Sequence, residues 1–257
     1  MTPVAQALPS LFVIALPRSL STHVHEAARA ALALAAPAWT SAGEILNAGR
    51  WRMRAGEDDG DRYATAEDGV RFDVWLRFLD DVVAARGRAY KDVVQPFVCA
   101  HWLARAEGLR VLRIRRPVAD VAWSMLDAGW RYPARAADAG RDEIDRLLSG
   151  LLRARAALAT VAAVELDFDA LLETPDALSR ALATLYPAPH AARDAVLDAA
   201  RDPLRTPAHD ADFRAHARTV LQRRNTARWR DLAARVEALE SAGHAAGGAA
   251  GIAMPGG

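Results

Sequence analysis

The sequence predicts an α/β fold, a three-layer sandwich with a central parallel sheet flanked by helices. Short apolar runs of strand length recur along the chain, and each is followed by a segment whose apolar residues have helical spacing. Strands that alternate with helices in this way form a parallel sheet covered on both faces. The length of 257 residues suits one such domain with a substantial core.

The elements follow in order. Leu11–Leu16 is an apolar run that reads as a buried strand, and Val24, Ala27, Ala28, Ala31 and Leu34 then fall at helical spacing. Residues 47–70 are rich in Gly and charge without a sustained period, which predicts a long surface loop or a partly ordered excursion. A helix is expected at about 71–85 through Val74, Leu76, Phe78, Leu79, Val82 and Val83. "GRAYKDVV" predicts a short strand ending near Lys91, "PFVCAHWLARAEG" a helix opened by Pro96 and closed by Gly108, and "LRVLRI" a second buried strand. "PVADVAWSML" begins a helix at Pro117, a longer one covers about 141–159, and "VAAVEL" reads as a further strand. Thr174 is the expected N-cap of the next helix, with Pro175 in its first turn. The last predicted helix is "ARWRDLAARVEALES". In residues 241–257, 12 positions are Ala or Gly, so a single domain over 1–240 is expected to end in a disordered tail.

Composition narrows the function. Lys and Arg number 33 against 32 Asp and Glu, a net charge of +1, which argues against a general nucleic-acid or membrane surface. Any anion site must be local. One cysteine, Cys99, excludes an intramolecular disulfide framework and a cysteine-based zinc site. Residues 1–10 lack a basic leader region, and no apolar run approaches the roughly 18 residues of a membrane span. A soluble, cytoplasmic protein is the expectation.

The turn after the first strand, "ALPRSLST", is the strongest candidate for such a site. A strand-to-helix turn gathers free backbone N–H groups at the positive end of a helix dipole, where phosphate or sulfate binds. Arg18 adds a permanent charge with a forked donor, and Ser19, Ser21 and Thr22 add hydroxyls. The competing reading is a helix cap at Ser19 or Ser21 beside a solvated arginine. The stretch is neither a Walker A loop nor a GxGxxG turn.

"PRSLST", Pro17 to Thr22, resembles the 5'-phosphosulfate loop of sulfotransferases, P-[KR]-[ST]-G-[ST]-T. Leu20 stands where that family usually has glycine, and leucine resists a positive φ. "VLRIRRPVADVAWS", residues 111–124, resembles the family's 3'-phosphate segment, in which a strand ends in arginine and a serine follows eight residues later. That spacing pairs Arg116 with Ser124, whereas alignment on the proline selects Arg115. "VELDFDALLETPDALSRALATLY" is similar to a packing segment of the family. "RRNTARWRDL" resembles the stretch that closes over the 3'-phosphate, with Arg223 or Arg224 as the contact, or else is a solvated basic stretch.

The resemblance implies a P-loop-like sulfotransferase fold and the donor 3'-phosphoadenosine 5'-phosphosulfate, with no metal. It implies that Arg18, Ser19, Leu20, Ser21, Thr22, Arg116, Ser124, Arg223 and Arg224 hold the donor. Arg18 and Lys91 would stabilise the charge that develops in transfer, Lys91 beside the sulfate. The general base is Glu44, in a "GE" segment as in bacterial carbohydrate sulfotransferases, or alternatively Asp92 or His101. The competing reading of Glu44 is a cap on a short helix that buries Ile45 and Leu46. His23 and His25 point in different directions on a helix, which disfavours metal and suggests helix surface. Trp51, Trp123, Trp130 and Tyr132 flank the expected site, and "DAGWRYPARAADAG" is a candidate lid over the acceptor. The implied partner is a carbohydrate or small-molecule acceptor, with neither nucleic acid nor membrane. Two other readings stand beside this one: a small-molecule phosphotransferase on a similar scaffold, and an inactive nucleotide-binding module.

Overall fold

A computed structural model describes residues 8–35, 39–47, 62–83, 87–133, 142–174, 176–187 and 207–249. Five strands form one all-parallel sheet in the order β2-β3-β1-β4-β5. They are β1 (Ser10–Ala15), β2 (Thr40–Glu44), β3 (Arg88–Asp92), β4 (Leu109–Arg115) and β5 (Val164–Asp167). Helices α1 (Ser21–Ala35), α2 (Val70–Val82), α3 (Pro96–Leu103), α4 (Val118–Asp127) and α5 (Glu143–Ala159) lie between or after these strands. Helices α6 (Phe168–Glu173), α7 (Ala177–Leu185), α8 (Pro207–Arg224) and α9 (Ala227–Ala249) complete the described chain.

Strand β1 is central, and all six of its residues are buried. Burying each large apolar side chain contributes about 1.5–3 kcal/mol, which accounts for an uninterrupted apolar run rather than alternation. Phe12 stacks on Tyr90 of β3 at 5.9 Å and leans on Trp102 of α3 at 6.2 Å, tying the sheet to a flanking helix. On its other side β1 runs in register with β4 from Ser10↔Leu109 to Ala15↔Ile114. The carboxyl ends of β1, β3 and β4 therefore sit side by side, which is where ligands bind in parallel α/β sheets.

Several local expectations change. "TSAGE" is an edge strand, so the alternative in which Glu44 caps a short helix does not hold; Glu44 ends β2 beside Lys91 of β3 while Ile45 and Leu46 enter the core. Thr174 does not cap α7. Asp167 accepts from the N–H groups of Asp169 and Ala170, which starts α6, and Thr174 closes that helix before Asp176 precedes α7. His25 is fully buried rather than on the surface, with Nε2 at 3.0 Å from the Ala89 carbonyl and Nδ1 at 3.1 Å from Glu26. The Ala/Gly-rich tail is helical as far as Ala249, because alanine extends a helix already nucleated by "ARWRDLAARVEALES". Residues 250–257 lie outside the described residues, as do Trp51, Pro175, most of the 47–70 loop and residues 134–140 of the candidate lid.

Candidate active site

The turn between β1 and α1 has an unusual backbone. Arg18 has φ +60° and Leu20 φ +58°, two left-handed non-glycine residues within three positions. Each such residue costs roughly 1–2 kcal/mol. Leucine thus adopts a backbone region that ordinarily favours glycine. Leu20 also packs part of its side chain on the core, and its carbonyl accepts from Val24 N at 3.0 Å to start α1. The N–H groups in the first turn of a helix have no partner within the helix itself.

Contacts from α4 and from the ends of β4 and β3 fix this turn. Arg18 Nε donates to Ser124 Oγ of α4 at 3.1 Å, and Arg116, at the end of β4, donates through Nη1 to the Arg18 carbonyl. The Lys91 ammonium, buried at the end of β3, donates to Thr22 Oγ1 at 2.9 Å and stands 3.6 Å from Glu44 Oε1 of β2. Asn47 Nδ2 holds the other Glu44 oxygen at 2.9 Å. Ser19 Oγ donates to the Pro17 carbonyl at 3.4 Å. A cleft of about 760 Å³ opens over the turn, lined by Arg18, Ser19, Leu20, Ser21, Thr22, Glu44, Lys91 and Ser124. Trp130 forms one wall, with Arg18 5.2 Å from the centre of its ring, and the α1 residues Ala27 and Ala30 extend the floor.

The two arginines at the end of β4 separate clearly. Arg115 is exposed and paired with Asp167 at 2.9 Å. Arg116 is buried, with its guanidinium 4.2 Å from the centre of the Phe168 ring and its Nε without a hydrogen-bond partner among the described residues. Burial, with Arg224, Arg223 and Arg18 nearby, pushes its pKa down to about 10 against the opposing pull of Asp120. The partner of Ser124 is Arg18 rather than Arg116. Arg116 sits behind the turn and holds it from below, facing a second cavity beside β5.

Three expected residues lie elsewhere or do other work. Arg224 binds Asp120 through Nε at 3.1 Å and Asp169 through Nη1 at 3.0 Å, and Trp229 Nε1 donates to Asp120 at 2.7 Å. This network docks α8 and α9 on α4 and α6, so Arg224 is a structural clamp. Asp92 is buried under the β3–α3 turn, where it accepts from Val94 N at 3.0 Å and Gln95 N at 2.7 Å. His101 is exposed near the end of α3 against Phe72, in a different cavity. Arg223 remains close, paired with Asp127 at 3.3 Å.

Sequence reasoning missed His216 of α8, which lines the same cleft. No local motif marks it. Its spacing of seven residues from Arg223, two helical turns on one face, is the signal that was available. Trp123, expected nearby, instead packs under the Arg228 guanidinium at 4.6 Å. Tyr132 is buried against Tyr63.

No protein-family model matches this chain, and no curated protein matches it either. Among the described residues no helix is long and apolar enough to cross a membrane, and no group of three or more His, Cys, Asp or Glu side chains is placed to hold a metal ion.

Proposed function

We propose that the chain is a sulfotransferase with a P-loop-like fold that moves the sulfuryl group of 3'-phosphoadenosine 5'-phosphosulfate to a hydroxyl or amine of a carbohydrate or small-molecule acceptor. One observation carries the reading. The Arg18–Ser124 hydrogen bond joins, across 106 residues, the two segments that resemble the 5'-phosphosulfate and 3'-phosphate motifs. The positive φ of Leu20 adds support, because the glycine-like turn persists without the glycine.

In this mechanism the acceptor oxygen or nitrogen attacks sulfur in line, and the bond from sulfur to the bridging phosphate oxygen breaks. Glu44 takes the acceptor proton, and adenosine 3',5'-bisphosphate leaves. Negative charge grows on the departing oxygen. The N–H groups of the first turn of α1, Lys91 and Arg18 meet that charge with donors already in place. Lys91 releases Glu44 as it turns toward the sulfuryl oxygens, which leaves the carboxylate able to accept a proton.

Thermal shift tests this reading with adenosine 3',5'-bisphosphate, with ATP and Mg²⁺, and without ligand. A ligand at 100 times its Kd stabilises by about 2.7 kcal/mol, roughly 5–10 °C for a chain of this size. The bisphosphate is expected to give that shift. A shift with ATP and Mg²⁺ but none with the bisphosphate would favour the phosphotransferase reading instead.

A further inference from the structure

Helix α8 buries Ala217 and Val220, and the position before Ala217 turns His216 to the wall of the cleft that also holds Arg18, Ser124 and Trp130. The His216 Nε2 atom is buried and has no hydrogen-bond partner among the described residues. His25 provides the contrast, since both of its ring nitrogens are engaged.

The charges around His216 are of one sign. Arg18 comes from the β1–α1 turn, Arg116 from the end of β4 and Arg223 from α8 itself. The neighbouring carboxylates are already bound: Asp120 of α4 and Asp169 of α6 by Arg224, and Asp127 of α4 by Arg223. On α9, which also packs on α8, Asp231 pairs with Arg235, and Arg228 lies over Trp123. Burial, then the three guanidiniums, holds the His216 pKa below its ordinary value. A neutral imidazole with an unsatisfied nitrogen, set among cations, completes an anion site when it gains a proton and becomes a donor at both nitrogens.

We propose that His216 is a further partner of the anion held at the Arg18–Ser124 end of the cleft, and that binding of the anion draws a proton onto its imidazole. The inference rests on the donor cleft described above and adds a pH-linked residue to it. A bound dianion offsets the repulsion from the three arginines, so the complex holds the proton to higher pH than the free protein does. Affinity then rises as pH falls through the midpoint of the complex.

The test is an NMR titration of the histidine rings of the full chain, with His216 assigned by His216→Gln. It is run free, with adenosine 3',5'-bisphosphate, and with inorganic sulfate, which gains no proton in this range. Either anion is expected to raise the His216 midpoint by at least about one pH unit, equivalent to about a tenfold gain in affinity at low pH. Sulfate affinity in His216→Gln should be flat over the same range. The inference is overturned if sulfate or the bisphosphate binds and the His216 midpoint stays where it was, or if neither binds. If sulfate moves the midpoint and the bisphosphate does not bind, His216 keeps its role and the sulfotransferase reading falls. The wild-type titration decides the matter even if the variant fails to fold, with His216→Asn as a second means of assignment.

Discussion

Lys91 Nζ donates to the Thr22 hydroxyl at 2.9 Å and so fastens the end of β3 to the first turn of α1. The same ammonium stands 3.6 Å from Glu44. Lys91 thereby sits between the residue proposed to accept the proton and the turn proposed to hold the leaving phosphate.

Lys91→Met is accordingly expected to affect turnover more than donor binding. Loss of one preorganised donor to a developing oxyanion lowers kcat by about 10²–10³. Release of adenosine 3',5'-bisphosphate from the donor measures turnover, and titration with the bisphosphate measures binding. Equal losses in both would assign Lys91 to binding alone.

Leu20 supplies a second prediction, from its φ of +58°. Glycine adopts this region freely, whereas a β-branched residue resists it more than leucine does. Leu20→Gly should retain bisphosphate binding, and Leu20→Val should lose about tenfold, from a further 1–2 kcal/mol of strain. Calorimetric titration of both variants checks this. Equal affinities would show that the turn does not depend on that backbone geometry.

Much of the sheet was legible because β1 is an uninterrupted apolar run and β4 carries Val111, Leu112 and Ile114 between its arginines, and these three residues are buried. The edge strand β2 was not. "TSAGE" is short, partly exposed and shifted in register between Ser41 and Gly43, so it lacks both alternation and an apolar run. Motif spacing singled out the loop and the Arg116–Ser124 segment, but spacing could not reveal that Arg18 bonds Ser124 while Arg116 donates to the Arg18 carbonyl. The pairing of Arg224 was not legible for a similar reason: its partners Asp120 and Asp169 are 104 and 55 residues away.

The Arg224 clamp makes a prediction about stability. Asp120 is 3% exposed and accepts from both Arg224 and Trp229. Removing one partner of a buried ion pair costs about 3–5 kcal/mol. Asp120→Ala and Arg224→Ala should each destabilise on this scale, and the double variant should cost clearly less than the sum. Denaturant unfolding of the cycle measures the coupling, and additive losses would rule out the clamp.

Asp92 predicts a pH dependence. Burial foremost, with Glu44 adding repulsion, pushes its pKa up to about 7, against about 3.9 in an unfolded chain. Below the unfolded value both states hold the proton, and the contribution of Asp92 to stability is fully present. As pH rises toward 7 the unfolded chain ionises first, and that contribution is lost. Wild type should therefore lose stability relative to Asp92→Asn between about pH 4 and 7 and run parallel to it above. Denaturant midpoints across this range test the expectation, and parallel curves throughout would contradict it.

The most direct measurement is calorimetric titration of adenosine 3',5'-bisphosphate into wild type, Arg18→Ala, Arg116→Ala and Glu44→Ala. The account predicts one site per chain, lost or strongly weakened when Arg18 or Arg116 is removed and nearly unchanged without Glu44. Absence of binding to wild type, or equal weakening in all three variants, would contradict it.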